Sequence, residues 1–183
     1  MPWPFNQFLK PRTPLRGTIE TIYGMIVAQA REPLFYQALA VPDTVNGRFD
    51  MVVLHLWMVL RQAKRLGDDA GLAQALFDHF CSDMDHNLRE LGTGDLAVPK
   101  RMREFGEAFY GRSAAYDLAL AAGEGQLAQA LCKNIYNGRE LDKARRLAAY
   151  VGQALSALAV LDETTLPGAS WQFPSPVASA ALG

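Results

Sequence analysis

The segment Phe49–Leu66, FDMVVLHLWMVLRQAKRL, decides the fold. At about 100° per residue, Phe49, Val52, Val53, Leu56 and Leu60 fall on one stripe and Met51, Leu54 and Met58 on a second, opposite one. A helix apolar on two faces needs cover on both, which places it at the centre of a helical bundle. The other arrangement open to it is a second face that lines a groove for an apolar client, where flexible thioethers suit an irregular surface. His55 lies off both stripes beside Val59 and reads as a satisfied core or boundary histidine rather than a ligand. The apolar run Met51–Leu60 is bounded by Asp50 and Arg61, and it is half as long as the ~20 residues that a bilayer-spanning helix needs.

Outward from this segment the chain continues in helix-length pieces with no sustained period-2 alternation. The spacing predicts a helix over Thr18–Arg31, with Ile19, Ile22, Tyr23 and Ile26 on its apolar stripe, and a shorter one in EPLFYQALAV, opened by Pro33. PDTVNG reads as a loop before the long helix, which is expected from Arg48 to Leu66. GDDAG then separates it from a helix over Leu72–Leu91, and GTGD precedes another over Pro99–Ala121. GEG at 123–125 and NGRE at 137–140 delimit two more, the last ending near Asp162. The expected fold is therefore all-α, a single-domain bundle of about seven helices over residues 18–163. Residues 1–17 read as a flexible lead-in. The stretch from 164 to 183 is rich in Pro, Ser, Ala and Gly and reads as a disordered tail.

Composition narrows the function classes. With 183 residues and a net charge of -1, the chain has room for one core and is not built as a whole to bind nucleic acid. Cys81 and Cys132 stand far apart without metal-ligand spacing and read as small buried hydrophobes of a reducing compartment. MPWPFNQFLKPRTPLRG has too many prolines for the apolar region of a secretory signal.

Chemistry has one place to look, DMDHNLRELGTGDLAVPKRMREFGEAFYGR at Asp83–Arg112. His79, Asp83 and His86 share one line of a helix. His79 and His86, however, are about 10.5 Å apart along the axis at ~1.5 Å per residue, too far for both rings to reach one ion at ~2 Å. No metal and no cofactor is expected. A phosphate cradle would need a strand before its glycines. Here a helix precedes them, so Gly92 reads as its left-handed C-cap, and Pro99 suits the first turn of the next helix. Asp85 is expected to pair with Arg89 four residues on.

Lys100, Arg101 and Arg103 sit at the end of their helix where its dipole disfavours cations, which suits a partner or acids on a neighbouring helix. Arg112 falls within the stripe Met102, Phe105, Phe109, Tyr116 and Ala119, so it must be paired or reach out to solvent. Asp83 or Asp95 is its expected partner in a structural lock. Gly106, Tyr110, Ser113 and Asp117 form a line beside that stripe, and Gly106 and Gly111 would permit a neighbouring helix to approach closely. There is no Gly-x-Ser-x-Gly elbow, and no Cys/His arrangement supports nucleophilic catalysis.

GDLAVPKRMREFGEAFYGRSAAYDLAL, together with FDMVVLHLWMVLRQAKRLG and LFDHFCSDMDHNLRELG, resembles the ubiquinol–cytochrome c chaperone family, over about Ile22–Leu161. The most specific part is VPK followed by EAFYGR and AYD at this spacing. The resemblance implies a helical, non-catalytic assembly factor of the cytochrome bc1 complex that binds newly made cytochrome b. It also implies a setting beside the ribosome and inner membrane, with a small helical partner protein. The absence of a long presequence implies a bacterial-type member working in the cytoplasm, peripheral to that membrane. Its expected partner-binding residues are Met51, Leu54, Trp57 and Met58 on the second face of the long helix, with Lys100, Arg101 and Arg103. The competing reading is a helical domain that binds a small molecule or lipid, with or without an enzymatic activity. A deep closed cavity would favour that reading, and an open groove the chaperone.

Overall fold

The computed structural model of the chain describes residues 16–67 and 71–176. These form seven helices: α1 (Arg16–Ala30), α2 (Pro33–Gln37), α3 (Val45–Arg65), α4 (Leu72–Glu90), α5 (Val98–Ala122), α6 (Glu124–Ile135) and α7 (Leu141–Ala159). Of the expected lead-in, Arg16 and Gly17 already belong to α1, where Arg16 holds Glu20 at 2.9 Å, and residues 1–15 lie outside the described residues.

α3 is the axis of the bundle and touches α1, α4, α5, α6 and α7. Every residue from Val53 to Leu60 is buried, and Met51, Leu54 and Met58 are fully enclosed. Both apolar stripes are core, so the second face of α3 is not an open client surface. The reason is simple: helices pack on it from both sides, and burying such side chains is worth about 1.5–3 kcal/mol each.

Aromatic contacts set the directions. Phe49 stacks on Phe105 at 4.9 Å and Trp57 meets Tyr116 at 5.3 Å, so α3 and α5 run parallel. α4 returns between them, with Phe77 and Phe80 against Phe109 at 4.9 and 6.0 Å. His55 contacts Tyr150, and Gln62 Nε2–H donates to the Leu161 carbonyl, so α7 also runs parallel to α3. The amino ends of α3, α5 and α7 therefore share one end of the molecule, and their carboxyl ends the other.

Two turns explain the boundaries. α3 starts at Val45, earlier than Arg48, because the Thr44 hydroxyl accepts from the Gly47 amide at 3.1 Å and caps the helix inside the expected loop. A Cβ on Gly47 would collide with the Pro42 carbonyl oxygen. α4 ends as expected, with Gly92 at φ 80°, Gly92 N–H on the Arg89 carbonyl and Thr93 N–H on the Leu88 carbonyl. Leu91, expected as the last residue of this helix, lies beyond its end and is 75% exposed.

The expected tail is a correction. Asp162 accepts the Thr164 and Thr165 amides at 2.9 and 2.8 Å, which turns the chain back over the bundle and holds the Asp162 carboxyl well below the usual carboxylate range. Leu166, Trp171 and Pro176 are buried, and Trp171 Nε1–H donates to the Leu166 carbonyl at 2.9 Å. Proline and glycine forbid a helix here but do not forbid packing, and this segment carries enough apolar area to dock. Residues 177–183 lie outside the described residues.

This segment covers a polar chain that crosses the core. His55 Nδ1 faces the Met51 carbonyl at 2.8 Å, which requires a proton on Nδ1 and leaves Nε2 to accept from the Tyr150 hydroxyl at 2.8 Å. Gln29 Nε2 donates to the Tyr150 oxygen at 3.0 Å and to the Pro174 carbonyl at 3.1 Å. Phe173 closes edge-on over the imidazole at 5.1 Å. Burial lowers the His55 pKa to about 4, so the ring is neutral. His55 joins α1, α3, α7 and the C-terminal segment.

Candidate functional site

The residues of the helical hairpin that invite a chemical reading are committed to structural partners. Arg112 does form a lock, but with Asp50 of α3: Arg112 Nη2 lies 2.8 Å from Asp50 Oδ1, and the guanidinium sits 5.9 Å from the Phe49 ring centre. The expected partners are taken elsewhere. Asp83 accepts from the Tyr23 hydroxyl at 2.8 Å, and Asp95 holds Arg89 at 2.7 Å. Arg89 also holds Asp85, as its spacing predicts, at 2.7 Å. α5 faces α3 at Arg112, so the acid had to come from α3, not from the hairpin. His79 packs edge-on against Tyr23 at 4.8 Å and His86 reaches Glu90 at 3.1 Å, so these two rings serve different neighbours.

The Asp50–Arg112 seam is under-bonded. Asp50 Oδ1, Arg112 Nε, Ser113 Oγ and Tyr116 Oη are buried without a hydrogen-bond partner, so the close ion pair is poorly aligned as a hydrogen bond. Burial pushes the Asp50 carboxyl up to about 6, against the downward pull of Arg112.

Beyond this seam, toward the carboxyl ends of α3, α5 and α7, two clefts open side by side. The first, of about 330 Å³, lies between α3 and α5, with Trp57, Leu60 and Phe109 as its apolar floor. Tyr110, Ser113 and Asp117 of α5 form one wall and Arg61, Lys64 and Arg65 of α3 the other. The second, of about 390 Å³, lies between α3 and α7 and is lined by Met58, Leu120, Leu155 and Leu158. Gly152, Ser156 and Ala159, exposed on α7, flank it, and nothing lies within 4 Å of a Cβ built on Gly152. Small residues at this spacing admit close approach of another helix.

Arg61 and Arg65 border both clefts. Asp117 Oδ1 accepts from Arg61 at 2.6 Å and from Trp57 Nε1–H at 3.2 Å, which fixes the wall of the first cleft. Arg65 donates to the Ala159 carbonyl at 2.6 Å, where a cation suits the last turn of α7. Lys64 has no acidic partner among the described residues. The site thus combines apolar floors, a cationic side and one acid already engaged. Tyr110, Leu118 and Val160 extend apolar surface beside it, at 61%, 75% and 82% exposure.

Of the expected partner-binding residues, Trp57 and Met58 reach these clefts through nearly sealed edges, and Met51 and Leu54 do not. Lys100, Arg101 and Arg103 are exposed at the opposite end, at the start of α5. The line Gly106, Tyr110, Ser113 and Asp117 was the signal for the first cleft, since three of its four residues form the wall. Gly106 and Gly111 admit no neighbouring helix; a Cβ on either would meet nothing within 4 Å. Asp50, Trp57 and Arg61 share one line of α3, and each of them meets a residue of α5, but the spacing alone does not say which helix that line faces.

Residues 37–173 match the sequence model of the family described as ubiquinol-cytochrome C chaperone. The ubiquinol-cytochrome-c reductase complex assembly factor 1 of Xenopus laevis is 29% identical over 133 residues, 70% of this chain and 66% of that protein. The mitochondrial protein CBP3 of Saccharomyces cerevisiae is 26% identical over 150 residues, 78% of this chain and 44% of that protein. The chain thus spans less than two thirds of the length of these curated relatives. The crystal structure of the Cbp3 homolog from Brucella abortus superposes with a TM-score of 0.79 at 38% identity, covering 88% of this chain and 91% of that one.

Proposed function

Because the chain belongs to the ubiquinol–cytochrome c chaperone family, we propose that it is a non-catalytic assembly chaperone of the cytochrome bc1 complex that binds newly made cytochrome b. The observation that carries this reading is the reach of the family match, which runs from the end of α2 to Phe173 and so takes in the central helix, both clefts and the docked C-terminal segment. The clefts support it physically. They are open to solvent rather than enclosed, and pair an apolar floor with a small-residue face on α7, which suits an apolar client helix. The cations beside them suit acidic loops of the same client.

The non-catalytic role is supported by the use made of the titratable groups, since Asp50, His55, Asp83 and Arg112 each hold helices together. No helix among the described residues is long and apolar enough to cross a membrane. We place the protein in the cytoplasm, working at the inner membrane where the client is inserted, with a small helical partner or the ribosome as further contacts.

The test is a pair of measurements in cells. Deleting the gene should lower the assembled bc1 complex, and photo-crosslinkers at Lys64, Tyr110 and Leu155 should capture nascent cytochrome b. Normal bc1 levels in the deletion strain would remove the assembly role. Silence at all three positions, with capture elsewhere on the bundle, would move the client surface.

A further inference from the structure

α5 is the least anchored of the long helices. It touches α3, α4 and α6, yet only Val98, Phe109 and Tyr116 of its 25 residues are buried. In α3 thirteen of 21 residues are buried, and in α7 seven of 19. An element with so few buried side chains opens at lower free energy than the core around it. Glycine turns flank it, with Gly92 at φ 80° and Gly123 at φ 116°, and such turns absorb a change of direction.

The middle of α5 is held by the Asp50–Arg112 seam, and the seam is a poor fastening. The four buried side-chain atoms without a hydrogen-bond partner among the described residues all belong to it, and three of them stand on α5: Arg112 Nε, Ser113 Oγ and Tyr116 Oη. Each costs free energy in the closed arrangement and regains it by reaching water. The Arg112 side chain is already 24% exposed, so it turns outward without crossing the core. Nearer the cleft mouth, Asp117 holds Arg61 in an ion pair that is half in solvent, and pairs of that kind contribute little.

Ser113 joins the seam to the first cleft, since it lines the cleft while its hydroxyl oxygen is buried without a partner. The cleft, at about 330 Å³, seats a few side chains, whereas a helix is about 10–12 Å across with its side chains. Of its two walls, α3 is the axis of the bundle and α5 is the one with little to hold it.

We infer that α5 is a hinged wall of the first cleft, latched to α3 by Asp50 and Arg112, and that it swings outward to admit the client. The identity of the client rests on the proposed function, but the wall is tested on the chain alone. A fixed wall would leave the chaperone reading standing, and a failed assembly role would leave the wall.

The probe is Ser113→Cys in the purified full chain, with the half-buried Cys81 changed to Ala and the buried Cys132 kept as an internal reference for global opening. Labelling with iodoacetamide at pH 7.5 is followed at each thiol by mass spectrometry. The thiol introduced at position 113 should label more slowly than a free peptide thiol and at least about tenfold faster than Cys132. Asp50→Asn, which undoes the latch, should speed it by a further tenfold or so and leave Cys132 unmoved. Equal rates at the two thiols would mean that only global unfolding exposes position 113, and would overturn the inference. So would a rate at 113 that Asp50→Asn does not change, or one that matches a free peptide thiol before the latch is touched. Hydrogen exchange on the unsubstituted chain gives a check that no variant can spoil. Amides of residues 105–120 should exchange faster than those of 50–63 in α3 and 144–158 in α7, and equal protection would also overturn the hinged wall.

Discussion

At the scale of single residues, two buried groups on α3 pull the acid response in opposite directions. Asp50 is raised to about 6 in the folded protein, chiefly by burial, against about 3.9 in an unfolded chain. Its folded state takes up a proton first, so its favourable contribution is complete below about pH 4 and lost as pH rises through 6. His55 is lowered to about 4 by burial, against about 6.5 unfolded. Its contribution is complete above about pH 6.5 and lost as pH falls toward 4. Chemical denaturation from pH 7.5 to 4 should show the wild type gaining on Asp50→Asn by on the order of 2–3 kcal/mol, and losing a similar amount to His55→Gln. Parallel profiles for the wild type and both variants would contradict the burial argument. Arg112→Met should cost about 3 kcal/mol by leaving Asp50 unpaired, and the double variant with Asp50→Asn should recover most of it. The need for a lock was legible from an arginine inside an aromatic stripe. Its partner was not, because stripe arithmetic places residues on one helix and says nothing of which helix faces it.

At the scale of elements, periodicity located the helices well, since the apolar stripes of α1, α3, α4 and α5 are what the tertiary packing buries. It was weakest where local hydrogen bonding rather than hydrophobic spacing sets the boundary. Thr44 starts α3 inside a stretch that looks like a loop, and Asp162 turns a Pro- and Ser-rich stretch back onto the core. One substitution has opposite signs at two helical glycines. Gly47→Ala should cost about 2 kcal/mol or more, because its methyl would strike the Pro42 carbonyl. Gly106→Ala should stabilise by about 0.5–1 kcal/mol, since the space around it is open. Thermal unfolding of the two variants checks both signs. Trp171→Ala tests the C-terminal segment: a buried tryptophan should cost roughly 3 kcal/mol, and a disordered tail nothing.

At the scale of the whole molecule, a net charge of -1 says little about the two ends of the bundle. Paired charges cancel only in part, and charges of both signs remain without an ion pair among the described residues, such as Lys100, Arg103 and Glu107 on α5 and Lys64 beside the clefts at the carboxyl end of α3. One wall of the first cleft was legible as the line Tyr110, Ser113 and Asp117, but the floors were not, because they come from α3, α5 and α7 together and periodicity reads one helix at a time. The two ends stand apart. Lys100 and Asp117 are separated by about 25 Å of helix rise along α5, so a segment held in the first cleft stands clear of the α4–α5 turn. Such a separation predicts that client capture is lost by mutation at the clefts and not by mutation at the turn. Lys64→Glu with Tyr110→Glu should abolish capture of nascent cytochrome b from a crosslinker at Leu155 while leaving the melting temperature unchanged. L91S/L96S should leave that capture at the wild-type level, since both leucines are exposed at the opposite end of the bundle. If both pairs of substitutions removed capture with the melting temperature unchanged, the client would be using the turn as well as the clefts, and its assignment to the carboxyl ends of α3, α5 and α7 would be wrong.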